Sequence, residues 1–237
     1  MIKLLDILEN KILVPRRSEE ERAKNYNIAL QKKVQQYIKD GGKGDLDLYR
    51  VPITSLPPNL TVGGDLILSY TKITSLPPDL SVGGGLYLGN SKITSLPSGL
   101  TVGGGLSLYN TPITSLPSGL TVGGTLDLGN CRNLTSLPPG LSVGSDFSLD
   151  DCKNLTSLPS GLSVGGYLDL NGTKITSLPP GLTVGGNLTL SRTPITSLSS
   201  DLSVEGYLDL RYTPLSKSHT EEQIRQMAPG VKGYIYT

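Results

Sequence analysis

One phrase recurs through most of this chain. In the copy from Ile175 to Pro194 it reads ITSLPPGLTVGGNLTLSRTP, and nearly the same wording begins at Ile53, Ile73, Ile93, Ile113, Leu134, Leu155 and Ile195. Repetition at a short fixed period decides an architecture before any local reading, because each unit must solve the same burial problem beside its neighbours. In the copy 60–79 the inward candidates are Leu60, Val62, Leu66, Leu68, Ile73 and Leu76. Leu66-Ile67-Leu68 alternates with the period of a strand. No helical period survives, since Pro77, Pro78, β-branched Thr74 and the Gly63-Gly64 pair all oppose one. The unit is therefore a short strand, a turn, an extended or polyproline-like segment and a glycine corner. One such coil cannot offset the entropy of its own ordering. Stacked coils share a core, pair their strands and fold together as a solenoid.

The residues Leu66-x-Leu68-x-x-Thr71-x-Ile73-x-x-Leu76-Pro77 resemble the leucine-rich-repeat pattern LxLxxNxLxxLP. The short period is similar to the bacterial type found in secreted effectors of some pathogens. The resemblance spans about Asp45 to Pro214, and it implies an arc with a parallel β-sheet on its concave face and extended or turn structure on its convex face. Two features depart from the family. The usual ladder Asn is replaced by Thr71, Ser91, Thr111, Cys131, Cys152, Thr173, Thr193 and Thr213, whose hydroxyls and thiols do only part of an Asn side chain's work. The pair Gly63-Gly64 stands where the family has an apolar residue opening the strand. Two copies are one residue longer, at Cys131-Arg132-Asn133-Leu134 and Cys152-Lys153-Asn154-Leu155, and their turns are expected to bulge. The segment from Arg17 to Leu48 followed by these repeats is also similar to proteins of unassigned role in tailed-phage genomes.

Outside the repeats the pattern changes at both ends. Residues 1–14 are too apolar for a free tail; packing on the solenoid and docking to another protein both fit. After the break at Pro15-Arg16-Arg17, Ser18 caps an expected helix with Glu19, Glu20 and Glu21 in its first turn. Tyr26, Leu30, Val34, Tyr37 and Ile38 form its apolar stripe, and Asp40-Gly41-Gly42 ends it. This helix reads as the N-terminal cap, with Arg22, Lys24, Lys32 and Lys33 on a solvated face. After Pro214, Thr220-Glu221-Glu222 opens a short helix through Met227 that Pro229-Gly230 stops. Val231-Lys232-Gly233-Tyr234-Ile235-Tyr236 then mimics Val204-Glu205-Gly206-Tyr207-Leu208-Asp209, giving a last edge strand and a helix-strand C-terminal cap. The expected division is 1–44 for the N-terminal segment and cap, 45–214 for the solenoid and 215–237 for the C-terminal cap. About ten strands at ~4.8 Å make a sheet roughly 45 Å long.

Charge narrows the function classes. Residues 1–44 carry ten basic and six acidic groups, residues 45–214 eight and twelve, and residues 215–237 three and two. An acidic solenoid argues against a nucleic-acid groove. No run is apolar enough to span a membrane, and Asp6 and Glu9 interrupt the apolar start that otherwise resembles a signal peptide, so a cytoplasmic, reducing setting is expected. His219 is the sole histidine, and no Ser-His-acid set, metal pair or phosphate loop accompanies it. The Asn-Leu-Thr sequons at Asn59, Asn133, Asn154 and Asn187 follow from the repeat wording. Cys131 and Cys152 hold one turn position in adjacent coils, as two buried thiols or within reach of a disulfide. No enzyme, cofactor or metal site is expected.

The informative residues are the outward positions of the strands, which vary most among otherwise copied coils. The candidate partner-binding set is Tyr70, Tyr87, Tyr109, Asp127, Asp146, Asp150, Tyr167, Asp169, Tyr207, Asp209 and Arg211. Tyr contributes large contact area at low entropy cost, and the Asp cluster attracts a basic partner or a cation. The same composition fits an ordinary solvated sheet. The expectation is a monomeric, non-enzymatic protein–protein interaction scaffold binding an unidentified protein through its concave Tyr/Asp-rich face. The alternative is a structural or adhesive virion component.

Overall fold

A computed structural model describes Ile28 and residues 32–237. The expected Pro15–Arg17 break, the Ser18 cap and the apolar segment 1–14 lie outside the described residues. The chain winds as a parallel β-solenoid in which each coil contributes one two-residue strand to each of two sheets. In the coil 60–79 these are Thr61–Val62 and Leu66–Ile67. The first sheet has ten strands in sequence order from Leu46–Asp47 to Ile235–Tyr236, and the second has nine, from Thr61–Val62 to Gly230–Val231. All pairs are parallel and in register, so Leu66 stands beside Leu46 and Leu86, and the longer copies keep that register with Phe147 between Leu126 and Leu168.

The six inward candidates of the coil are all in the core: Leu60, Val62, Leu66, Leu68 and Ile73 are fully buried and Leu76 nearly so. The second sheet corrects the sequence reading, which gave each coil a single strand. Thr61–Val62 is the shortest segment that alternates outward and inward, so it makes no periodic signal of its own; lateral pairing with Ser81–Val82 defines it. The glycine pair is the corner between the sheets. A Cβ at Gly84 would lie 2.7 Å from the Gly64 carbonyl carbon, so adjacent coils approach this closely only without a side chain.

The ladder position works differently from an Asn. Thr71, Thr111, Thr173, Thr193 and Thr213 each donate the hydroxyl to the carbonyl three residues earlier, at 2.6–2.8 Å. The thiols of Cys131 and Cys152 instead reach back one coil, to the carbonyls of Leu108 and Leu128, each at 3.1 Å. Both cysteines are free and buried. In the first longer copy the extra residue is absorbed locally, by Arg132 N donating to Asn130 O and Leu134 N to Cys131 O.

Helix α1 covers 32–39, with Val34 in the core and Tyr37 packed against it, whereas Ile38 is exposed. Gly41 and Gly42 close it with positive φ, and Gly42 N donates to Tyr37 O. At the other end are two helices rather than one: α2, Pro214–Ser218, and α3, Glu221–Met227. Thr213 caps α2 with the same hydroxyl that donates to Leu210 O, followed by Pro214 at the first helical position. Thr220 and Gln223 form a reciprocal capping box on α3. The last coil then rejoins both sheets, Val231 beside Val204 and Ile235 beside Leu208, in the register the sequence mimicry implies.

Candidate functional site: the outward face of the first sheet

Because the strands stack in register, the outward residues form straight columns. The central column reads Asp47, Ile67, Tyr87, Ser107, Asp127, Ser148, Asp169, Thr189, Asp209 and Tyr236. From Ser107 onward acid and hydroxyl alternate. With ~4.8 Å between strands, alternation holds successive carboxylates about 10 Å apart along the column. Ser107 Oγ donates to Asp127 Oδ2 at 3.0 Å, and Ser148 Oγ turns to Asp150 Oδ1 at 2.7 Å.

Many of these carboxylates also satisfy backbone. Asp47, Asp127, Asp169 and Asp209 each accept the N–H two residues on, at 2.9–3.0 Å. One column earlier, Asp45, Asp65, Asp146 and Asn187 accept the N–H of the residue beside them in the next coil. Asp146 thus closes the corner onto Tyr167. Asp209 is only 4% exposed. Its oxygens are held by the N–H, Nε and Nη2 of Arg211 at 3.0, 3.0 and 2.7 Å, so it aims that guanidinium.

The candidate residues fall into three stretches. Toward the N-terminal end the face is aromatic: Tyr70, Tyr87 and Tyr109 are exposed, Tyr49 and Tyr70 meet edge to face at 5.5 Å, and Arg50 stacks on both at 5.1 and 5.4 Å. The middle is acidic. Burial and the charge of Asp150 push Asp127 above the usual carboxylate range; burial and the charges of Asp150 and Asp209 do the same to Asp169. Among the described residues no three acidic, histidine or cysteine side chains converge as a metal-ligand set. The C-terminal stretch is Arg and Tyr again, with Tyr207 and Tyr236 edge to face at 5.4 Å and Arg211 over Tyr236 at 5.8 Å. Burial alone would raise Asp209, but Arg211's hydrogen bonds and charge outweigh it and hold the carboxyl below its ordinary value. Tyr167 is half-buried, with its hydroxyl on Thr189 Oγ1 at 2.9 Å, and burial raises its phenol well above normal.

Sequence reasoning placed Tyr70 on the outward face but missed the conformation its column shares. The residue before each ladder position is left-handed in every coil: Arg50, Tyr70, Asn90, Asn110, Asn130, Asp151, Gly172, Arg192 and Tyr212, with φ between 53° and 71°. Asn, Asp and Gly suit that conformation. Arg50, Tyr70, Arg192 and Tyr212 do not, and each bears a cost of about 1–2 kcal/mol. All four join cation–π stacks between neighbouring coils, Arg192 lying 5.7 Å from the Tyr212 ring. The signal exists only in the aligned column, where Asn and Gly mark the conformation that Arg and Tyr conceal.

Away from this face, His219 Nδ1 lies 2.8 Å from Ser218 Oγ. Burial, and then its neighbour Cys131, push the Cys152 thiol up to about 12, so it stays protonated. Among the described residues no helix is long and apolar enough to cross a membrane. No protein-family model matches the chain, and no curated protein matches it significantly.

Proposed function

We propose that this chain is a leucine-rich-repeat-like, non-enzymatic scaffold that binds a partner protein through the outward face of its first sheet. It acts as a cytoplasmic monomer of the kind its resemblance to tailed-phage repeat proteins suggests. One observation carries the reading: the same coils that keep Thr or Ser at the outward position of the second sheet, from Thr61 to Ser203, and Thr-Ser on the third side place Asp, Ile, Tyr, Ser or Thr in the central column of this face. Four costly left-handed Arg and Tyr residues, in a column where Asn and Gly would serve more cheaply, support it further, since such strain concentrates at working surfaces. Exposed Tyr rings with a polar surround match the composition of protein-recognition surfaces.

The test is capture from lysate with the intact protein and with a Tyr87→Ala/Tyr109→Ala variant of unchanged circular dichroism. A partner retained by the intact form and lost by the variant is expected. A partner held equally by both would move the working surface elsewhere, and recovery of the protein in purified particles would favour a virion component.

A further inference from the structure

Most coils hand two carbonyls at the corner to the next. Val62 O and Gly64 O accept from Gly83 N and Gly84 N at 2.8 and 2.9 Å, and Val184 O and Gly186 O from Glu205 N and Gly206 N at 3.0 and 2.8 Å. The penultimate coil does the same, Val204 O and Gly206 O accepting from Lys232 N and Gly233 N at 2.9 and 3.0 Å. In the last coil described, Val231 O and Gly233 O hold the same two corner positions. There the guanidinium of Arg225 intervenes: Nη1 donates to Val231 O at 3.2 Å and Nη2 to Gly233 O at 3.1 Å. Nη2 is also held by Glu221 Oε1 at 3.1 Å, one helical turn back on α3. Ile224 and Ala228, which flank Arg225 on the helix and just past its end, are fully buried. The fork is therefore fixed from both sides.

We propose that Arg225 terminates the solenoid. Its two N–H groups occupy the two carbonyls that a further coil's backbone donors would use, and so keep this end from accepting a coil of a second copy of this chain. An arginine suits the task because its planar fork carries two parallel donors that remain protonated, whereas a lysine offers one point of charge. Natural sheets block their edges to prevent pairing between chains, and here the block is one side chain from a helix inserted between the last two coils. Lys232 adds a second obstacle at the same corner. It occupies the column that holds glycine from Gly63 to Gly185, and it binds both oxygens of Glu205 at 2.7 Å.

The experiment compares the full chain with Arg225→Met, which keeps the stem and removes the donors, and with Arg225→Lys. Circular dichroism checks the fold, and sedimentation velocity over a concentration series reads association. The wild type is expected to sediment as one species at all concentrations. Folded Arg225→Met should at least double its weight-average mass with concentration, and Arg225→Lys should fall between. A folded Arg225→Met that stays the size of wild type overturns the proposal, as does a wild type that itself lengthens with concentration. If Arg225→Met does not fold, nitrogen NMR of the wild type decides. Hindered rotation and separate Nη resonances for Arg225 support the terminator, while a freely rotating guanidinium like that of an exposed arginine overturns it.

Discussion

The two sheets of this solenoid are made from the same coils, yet their outward columns differ in kind. Along the second sheet the outward residues are Thr61, Ser81, Thr101, Thr121, Ser142, Ser163, Thr183 and Ser203, hydroxyls in every strand but the last, where Gly230 stands beside Ser203. On the third side of the coil the exposed pair is always Thr then Ser, from Thr54-Ser55 to Thr196-Ser197. Along the first sheet the central outward residue changes at almost every step. Burial explains only part of the contrast: Thr189 and Asp209 are buried, but exposed Tyr87 and half-buried Ile67, Ser107 and Asp127 vary as well. Copying cannot explain it either, because the variable and constant columns sit in the same copies. The difference teaches that this backbone tolerates nearly any outward side chain, and that only the first sheet exercises that freedom.

The comparison is sharpest where an inward column is broken. Leu128 is fully buried beneath the variable face. Leu128→Ala should cost about 2–5 kcal/mol, as large-to-small core changes do, and chemical denaturation measures it. The glycine corner comes next. At Gly84 a new Cβ would press on the Gly64 backbone and on the Asp65 carboxylate. Gly84→Ala should destabilise by about 1–3 kcal/mol, the range for overpacking. Because backbone is among the groups it meets, pairing it with Asp65→Ala should recover only part of the loss.

A smaller effect is expected at the ladder. Thr111→Val keeps the shape and removes the donor to Leu108 O, which still accepts Thr111 N at 3.1 Å and the Cys131 thiol at 3.1 Å. The loss should be about 0.5–1.5 kcal/mol, the net worth of an ordinary hydrogen bond. On the outward faces Tyr87→Ala and Thr94→Ala should each lie within about 0.5 kcal/mol of wild type by thermal melting. A large loss at Thr94 with none at Tyr87 would show that the constant hydroxyls hold the coil together, and would remove the contrast as a guide to function.

The inward columns were legible because apolar spacing recurs in every copy, and Leu60, Val62, Leu66, Leu68, Ile73 and Leu76 all proved buried. The outward column of the first sheet was legible for the same reason. What escaped depends on lateral neighbours rather than on local wording. Thr61–Val62 becomes a strand only through the coils beside it. Asp146 reads as an exposed acid until the next coil presents Tyr167 N to it at 2.8 Å. Arg225 looks like any helix-surface cation, because the carbonyls it closes belong to a strand and corner that come later in the chain. Helix α2 is a different case: Thr213-Pro214 carried a cap and a first-turn proline that the change of pattern after the last repeat obscured.

The subtlest test lies in the acidic middle. Asp127 and Asp169 titrate above the ordinary carboxylate value, first because they are partly buried and then because Asp150 adds charge. Folding therefore favours their protonated forms, so they weaken the native state at neutral pH. Stability from these two groups should rise as pH falls through their raised folded values, and level off below the unfolded one. Asp209 acts in the opposite sense and a lower window, because Arg211 holds its carboxyl down and its contribution is lost as pH falls through that depressed value. Asp127→Asn separates the two. An amide can still accept from Gly129 N, bonded at 3.0 Å in the wild type, and can donate to Ser107 Oγ. The variant should melt slightly above wild type at neutral pH, by no more than about 0.5 kcal/mol. That advantage should shrink toward zero as pH approaches the ordinary aspartate value, while the acid loss due to Asp209 remains in both proteins. If the variant is no more stable at neutral pH, the acidic middle of the variable face carries no strain for a basic partner to relieve.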